Sequence, residues 1–440
     1  MDTEEPVSLY KTSLSQVVKM DIEGAESQAL QEMNRLAAFS DRFRELAMRV
    51  LCVAGYYKPA YVYGGPVRSV PDLCEAMAQI GARVTVFTTN ANGPGQVLDT
   101  PTDRAVDVNG VQVHYFPVSW PLARLIPFYS PALGRACSRH VDQFDTVYLP
   151  GSWTHSTYAG ARTALRVRIP YVISPRGSFM DWSMSQKTLK KRLYLALIER
   201  RLINGAAAIH VTCALERQQQ EKWRFKPPAV VIPNGINVAR FEELPCQEKW
   251  RQLLGIPPTG TLSLFVGRLH REKRLDLLVD AFATLTRQMP DAHLLIVGPD
   301  QDGSGHVARQ QAKDLGLSDR VHFAGLLAGS QVRQAYAEAD VLVLLSHREN
   351  FGMVVLEAMA AGLPALVTRE VGLATEIEQA DAGLVVAAEP EDVGAAWQKL
   401  LADPGLRTAM GERGRTLVRE RFASSIVAIR MLDLFASVLT

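Results

Sequence analysis

Residues 339–368 read ADVLVLLSHRENFGMVVLEAMAAGLPALVT. An apolar run, ADVLVLLS, gives way to a polar loop, a glycine, a helix-like run and a second short apolar run, LPALVT. Unbroken apolar runs of this length suit strands buried on both faces, and Gly352 permits a tight turn into the helix expected over 352–361. Strand, helix, strand is the unit of a parallel sheet, because two parallel strands can be joined only by a crossover.

The same alternation continues in both directions. TLSLFVGRL, HLLIVGPD and RVHFAG come before this unit, and GLVV comes after it. Ahead of a turn-rich stretch, VIPNGINVARFEELP (231–245), a separate series runs RVLCVAGYY (49–57), GARVTVFTTN (81–90), VQVHYFPV, DTVYLPG, PYVISPRG and AAAIHVTC. Helix-like segments lie between most of these runs. The fold class is therefore α/β, with two Rossmann-like, doubly wound domains over residues 47–238 and 239–418. They join near 236–246 and face a central cleft, where ligands bind outside the carboxyl ends of the strands. Residues 1–46 read as a helical or partly disordered extension. The last segment, RTLVRERFASSIVAIRMLDLFASVL, reads as one long helical pattern, with 419–440 packing back across the junction.

A length of 440 residues agrees with two domains or more. A net charge of +2 is too mild for a nucleic-acid-binding surface, so no nucleic-acid partner is expected. The five cysteines stand singly, without a CxxC pair, which points to a reducing compartment. No apolar run approaches the roughly 18 residues of a membrane span. The start, MDTEEPVSLYKTS, is acidic and polar, unlike a secretory signal. The expected location is the cytoplasm, or the inner face of the cytoplasmic membrane.

Chemistry-bearing residues cluster at the expected strand exits. Glu349 follows VLVLLS. Glu357 lies roughly 7–8 Å further along the helix that begins at Gly352. Carboxylates accept hydrogen bonds from paired sugar hydroxyls, so the two acids can hold two parts of one extended ligand. A helix N-terminus favours an acid at Glu349 for electrostatic reasons alone, but this does not account for Glu357 inside an apolar helix. In FVGRLHREKRLD (265–276), Arg268 and Lys273 follow a strand and suit a diphosphate, while Arg271 and Arg274 suit solvent. In YVYGGPVRSV (61–70), Gly64 and Gly65 allow close backbone approach ahead of a helix. The residues alone leave a plain turn open there. His155 in LPGSWTHSTYAG and Arg176 in SPRGSFMDW stand at two further exits. Arg176 can contact an anionic substrate or pair with Asp181.

In order and spacing these segments resemble the family-four retaining glycosyltransferases of GT-B fold, over roughly residues 48–435. The most specific element is the E-x7-E pair of Glu349 and Glu357; GRLHREK, PNGI, the double glycine and SPRG support it. The resemblance implies a nucleoside-diphosphate sugar as donor and a sugar or lipid-linked acceptor. It implies that Arg268 and Lys273 neutralise the diphosphate, helped by amides near Gly64 and Gly65. Glu349 and the amides of Asn350, Phe351 and Gly352 would hold the donor sugar, Glu357 the ribose, and His155 would sit at the reaction centre. Arg176 is placed on the acceptor side. No metal and no cofactor are implied, because the basic pair supports the leaving group. Asn237 stands where the family often has Asp, and Arg274 where Gly is common.

The basic segment QKTLKKRLYLALIERRLI (186–203) offers peripheral membrane contact, although on a helical wheel its charges fall on several sides. The expected role is retaining, metal-independent hexosyl transfer in cell-surface polysaccharide or glycolipid synthesis. The alternatives are a nucleotide-sugar epimerase of the same fold and a non-catalytic sugar-nucleotide-binding subunit.

Overall fold

The computed structural model describes residues 48–185, 188–245, 249–327 and 329–439. The extension expected over 1–46, and Lys187 of the basic segment, lie outside the described residues. The first domain is built on strands β1 (Arg49–Val53), β2 (Arg83–Thr89), β3 (Val106–Val108), β4 (Val111–Phe116), β5 (Thr146–Pro150), β6 (Tyr171–Ser174), β7 (Ala208–Val211) and β8 (Ala229–Val231). Their order in the sheet is β3-β4-β2-β1-β5-β6-β7-β8, and every pair is parallel except β3–β4. The sequence reading misses β3 and β8, which have three residues each and are too short to show an alternating pattern.

Helices cover both faces of this sheet, so neighbouring residues of one strand enter different cores. Val50 and Cys52 of β1 join a core with α1 (Pro66–Ile80), whereas Leu51 and Val53 join one with α2 (His155–Val167). The second domain contains β9 (Thr261–Val266), β10 (Ala292–Val297), β11 (Val321–Gly325), β12 (Val341–Leu344), β13 (Ala365–Thr368) and β14 (Gly383–Val386), all parallel, in the order β11-β10-β9-β12-β13-β14. Strand order reverses between β9 and β12, the point at which such sheets open a ligand crevice. Helices α3 (Leu275–Leu285) and α4 (Met353–Ala361) follow these two strands after intervening loops. Gly352, at φ 98°, makes the left-handed turn into α4.

The C-terminal segment is not one helix. A helix over Pro404–Leu417 and a π-turn over Val418–Phe422 end at Ala423, which is extended, and α5 (Ser424–Ser437) starts anew. The break is where the chain returns to the first domain. Ile236 N–H donates to Phe422 O at 2.9 Å and Ser424 N–H to Ile236 O at 2.9 Å, so the two interdomain crossings are paired. Gly235 makes this approach possible, since a Cβ there would lie 2.9 Å from the Ser424 Cα. Beyond the break, Val427, Met431, Leu432 and Phe435 of α5 complete the core beneath α1.

Candidate active site

The exits of β9 and β12 deliver opposite charges to one place. After β9 the chain passes Gly267 and Arg268 into a short turn, Arg271–Lys273; after β12 it runs to Glu349. The two loops are joined by His347 N–H donating to Glu272 O at 2.8 Å, and Lys273 Nζ forms an ion pair with Glu349 Oε2. Burial works against the Glu349 charge, yet Lys273, the Phe351 N–H and Arg268 together hold its carboxyl below the usual carboxylate range. The Glu349 backbone is fixed from the exit of β13. Its N–H donates to Glu370 O at 3.1 Å, and its carbonyl accepts from Gly372 N–H at 2.9 Å. Arg274 has left-handed backbone at φ 50°, which accounts for glycine being common there in the family it resembles.

Arg268 reaches across to the first domain. Its Nη1 donates to Gln301 Oε1 at 2.8 Å, and a Cβ on Gly64 would lie 3.8 Å from its Nε. Gly65 backs onto Met353, the first residue of α4. The start of α1 and the start of α4 therefore meet across the cleft. The Gly64 N–H is not free for a phosphate, because it donates to Tyr61 O at 3.1 Å.

Glu357 is 5 % exposed, and it has partners from both domains. Arg68 of α1 pairs with its Oε1, and the Tyr336 hydroxyl donates to its Oε2 at 2.7 Å. The carboxylate raises the Arg68 guanidinium above its ordinary value, and burial pushes the Tyr336 hydroxyl well up, so both remain donors. Sequence reasoning misses both residues. Arg68 carries a signal, as the one cation within three residues after the double glycine; Tyr336 carries none.

Asn350 is clamped by the first domain. Its Nδ2 donates to Thr212 Oγ1 at 3.0 Å, its carbonyl accepts from Cys213 Sγ at 3.0 Å, and its side chain lies against Gly177. Glu216 ties these pieces together by accepting from Gly177 N–H at 2.5 Å and Thr212 N–H at 2.7 Å. The Phe351 ring is buried and packs 6.2 Å from that of Phe422, at the interdomain crossing.

His155 is the first residue of α2, and its ring packs among residues of the first domain. Its Nδ1 accepts from Ser130 N–H at 3.4 Å, its ring lies 4.7 Å from that of Tyr129, and burial lowers its pKa. The turn before it contains Trp153 at φ 65° and rests on a residue the sequence does not single out: the buried Glu199 accepts from Trp153 N–H at 3.3 Å. Burial pushes the Glu199 carboxyl up to about 7.

Arg176 serves the interior of the first domain. It donates to Ser69 Oγ at 2.9 Å, Asn234 Oδ1 at 3.0 Å and the Tyr148 hydroxyl at 3.1 Å, joining α1, the PNGI turn and β5. Its sequence-based alternative partner, Asp181, pairs instead with Lys222 at 2.7 Å. The chain contains one Asp-x-Asp triplet, Asp300-Gln301-Asp302, a spacing that can present two carboxylates to a cation. Here Asp300 accepts from Gly303 N–H at 2.9 Å and His306 N–H at 3.0 Å, and Asp302 from the Ser304 hydroxyl at 2.6 Å, so both cap the turn after β10.

Residues 64–235 match the family described as glycosyl transferase 4-like domain, and residues 247–417 match glycosyl transferases group 1. The mannosylfructose-phosphate synthase of Agrobacterium fabrum is 33 % identical over 412 residues, covering 84 % of this chain and 86 % of that protein. A D-inositol 3-phosphate glycosyltransferase of Kineococcus radiotolerans is 29 % identical over 380 residues, covering 80 % and 85 %. The crystal structure of Anabaena HepE in complex with UDP and glucose superposes with a TM-score of 0.69 at 21 % identity, over 89 % of this chain and 100 % of that one, a likeness of fold. The chain belongs to the glycosyl transferases group 1 and is a glycosyltransferase of the GT-B fold.

Proposed function

We propose that the chain transfers a sugar from a nucleoside-diphosphate sugar to an acceptor hydroxyl with retention of anomeric configuration. The observation that carries the reading is the convergence of Arg268, Lys273 and Glu349 at the strand-order reversal, facing the double-glycine loop. The Anabaena relative of like fold was solved with UDP and glucose, which agrees with a nucleotide-sugar donor.

In this reading the bond between the anomeric carbon and the phosphate oxygen breaks through an oxocarbenium-like state. Arg268 and Lys273 stabilise the charge gathering on the departing diphosphate, the task that preorganised cations perform best in a closed site. Glu349 holds the transferred sugar by accepting from its hydroxyls, and Glu357 accepts from the ribose. The acceptor oxygen bonds to the same face of the anomeric carbon, and its proton passes to the leaving phosphate oxygen. No step requires a metal. His155, at the end of the turn held by Glu199, would stand beside the transferred sugar at the reaction centre.

The acceptor is a sugar or lipid-linked sugar of envelope polysaccharide or glycolipid assembly, taken at the inner membrane face. The support is a row on the helical segment 188–204: Leu189, Leu193 and Leu197 are 85 %, 60 % and 69 % exposed, four residues apart, with Arg192 and Arg201 exposed beside them. One relative is named for glycosyl transfer involving an inositol phosphate and another for making a sugar phosphate, which makes sugar and inositol phosphates the second acceptor class to try.

Thermal stabilisation across a panel of nucleotide sugars tests the donor, since a ligand of the native state raises the melting temperature. Proton NMR of the product formed with each acceptor class then reads the anomeric configuration. Retained configuration supports the reading. Inversion contradicts it, an altered free nucleotide sugar without acceptor favours an epimerase, and binding without turnover favours a non-catalytic subunit.

A further inference from the structure

Both oxygens of Glu357, the carboxylate read above as the ribose acceptor, have partners within the chain. One is Arg68 of the first domain and the other is Tyr336 of the second, at 2.7 Å. We propose that Arg68 is a positioning residue for the nucleotide: from across the cleft it orients the Glu357 carboxylate for the ribose diol, so that nucleotide affinity depends on contact between the domains. The proposal rests on the reading of Glu357 as the ribose acceptor.

A buried carboxylate in an apolar helix is tolerated only when paired and hydrogen-bonded. Two carboxylate oxygens offer about four lone-pair sites. Arg68 and Tyr336 take one on each oxygen, which leaves one on each for two adjacent hydroxyls. Tyr336 belongs to the same domain as Glu357 and cannot report on the cleft. Arg68 can, because it stands three residues beyond Gly65, which itself lies against Met353 at the head of α4. Further along α1, Asp72 pairs with Arg240 at 3.0 Å, and Lys58 with Glu75 at 2.5 Å, so the helix that presents Arg68 is itself held in place. If the domains separate, Glu357 keeps one hydrogen bond and loses its counter-charge. A diol bound to the paired carboxylate therefore favours contact between the domains, and contact favours the nucleotide, by the same factor.

The test is calorimetric titration of UDP and GDP, each beside its 2′,3′-dideoxy counterpart, into the wild-type chain and its Arg68→Ala, Arg68→Lys, Glu357→Gln and double Arg68→Ala/Glu357→Gln variants. Arg68→Ala is expected to weaken the ribonucleotide at least about tenfold, because it leaves the buried Glu357 carboxylate without its counter-charge. The dideoxy form should change by less than about twofold, Arg68→Lys should recover part of the loss, and the double variant should be no worse than Glu357→Gln. Wild-type affinity in Arg68→Ala alongside a weakened Glu357→Gln overturns the role of Arg68 alone. Wild-type affinity in Glu357→Gln overturns the ribose reading beneath it, and failure of both UDP and GDP to bind the wild-type chain overturns both. Equal losses for the ribo and dideoxy forms overturn positioning through Glu357. Should Arg68→Ala not fold, Arg68→Lys decides: a loss confined to the ribonucleotide supports the proposal, and no loss overturns it.

Discussion

Lys273 and Glu349, 76 residues apart in sequence, form an ion pair across the point at which the strand order of the second sheet reverses. Each stands in a loop that follows a central strand; Glu349 is held by backbone hydrogen bonds from the exit of β13, and Glu272, beside Lys273, accepts from His347 N–H. A cation and a carboxylate are thereby set side by side at the mouth of the crevice.

The pair has an acid-side signature. The folded-state pKa of Glu349 lies below its unfolded value of about 4.3, so its contribution to stability is present above that value and is lost as pH falls through the folded pKa. Calorimetry should find wild type more stable than Lys273→Ala at pH 7, with the gap narrowing below about pH 4. A constant gap would separate the ion pair from the titration of Glu349.

Glu199 acts in the opposite sense. Burial raises its carboxyl to about 7, above the unfolded value of about 4.3. Stability linked to it is full below the unfolded value and declines as pH rises through about 7. Glu199→Gln should match the wild type near pH 4 and exceed it in melting temperature at pH 8. An identical pH dependence of the two chains would refute the assignment.

Gly372 sits against the Asn350 carbonyl, and a Cβ there has no room unless the loop carrying Glu349 and Asn350 moves. Gly372→Ala should therefore cost about 1–3 kcal/mol in a denaturant melt, as overpacking does. Transfer should fall by more than this loss of stability explains. Full activity at lowered stability would mean that the loop does not set the sugar site.

Replacing Leu189, Leu193 and Leu197 by serine removes the exposed row without touching the cleft. Flotation with vesicles containing anionic lipid should recover the wild-type chain and lose the triple variant, while turnover with a water-soluble acceptor stays the same. Equal recovery, or no recovery of either chain, would remove the membrane from the account.

Much of the architecture can be read from the sequence because parallel strands buried on both faces leave unbroken apolar runs. β9, β10, β12 and β13 of the second sheet appear this way, as do β1 and β5 to β7 of the first, whereas β4 shows as alternation and the edge strands β11 and β14 are only partly buried. β3 and β8 do not show, since three residues carry no period. The break at Ala423 is hidden for another reason: apolar residues continue through it at helical spacing, and only the pairing with Ile236 interrupts the helix. Arg268, Lys273 and Glu349 can be found because each follows a recognisable strand. The partners of Glu357 cannot, since Arg68 and Tyr336 lie 289 and 21 residues away and meet it only through packing of the two domains.

Turnover of Arg268→Ala with the nucleotide sugar that stabilises the wild-type chain tests the central claim most directly. With cation support of the leaving diphosphate, kcat should fall by about 10²–10³ while the melting temperature stays near that of the wild type. Transfer at the wild-type rate by a folded Arg268→Ala chain would contradict the account.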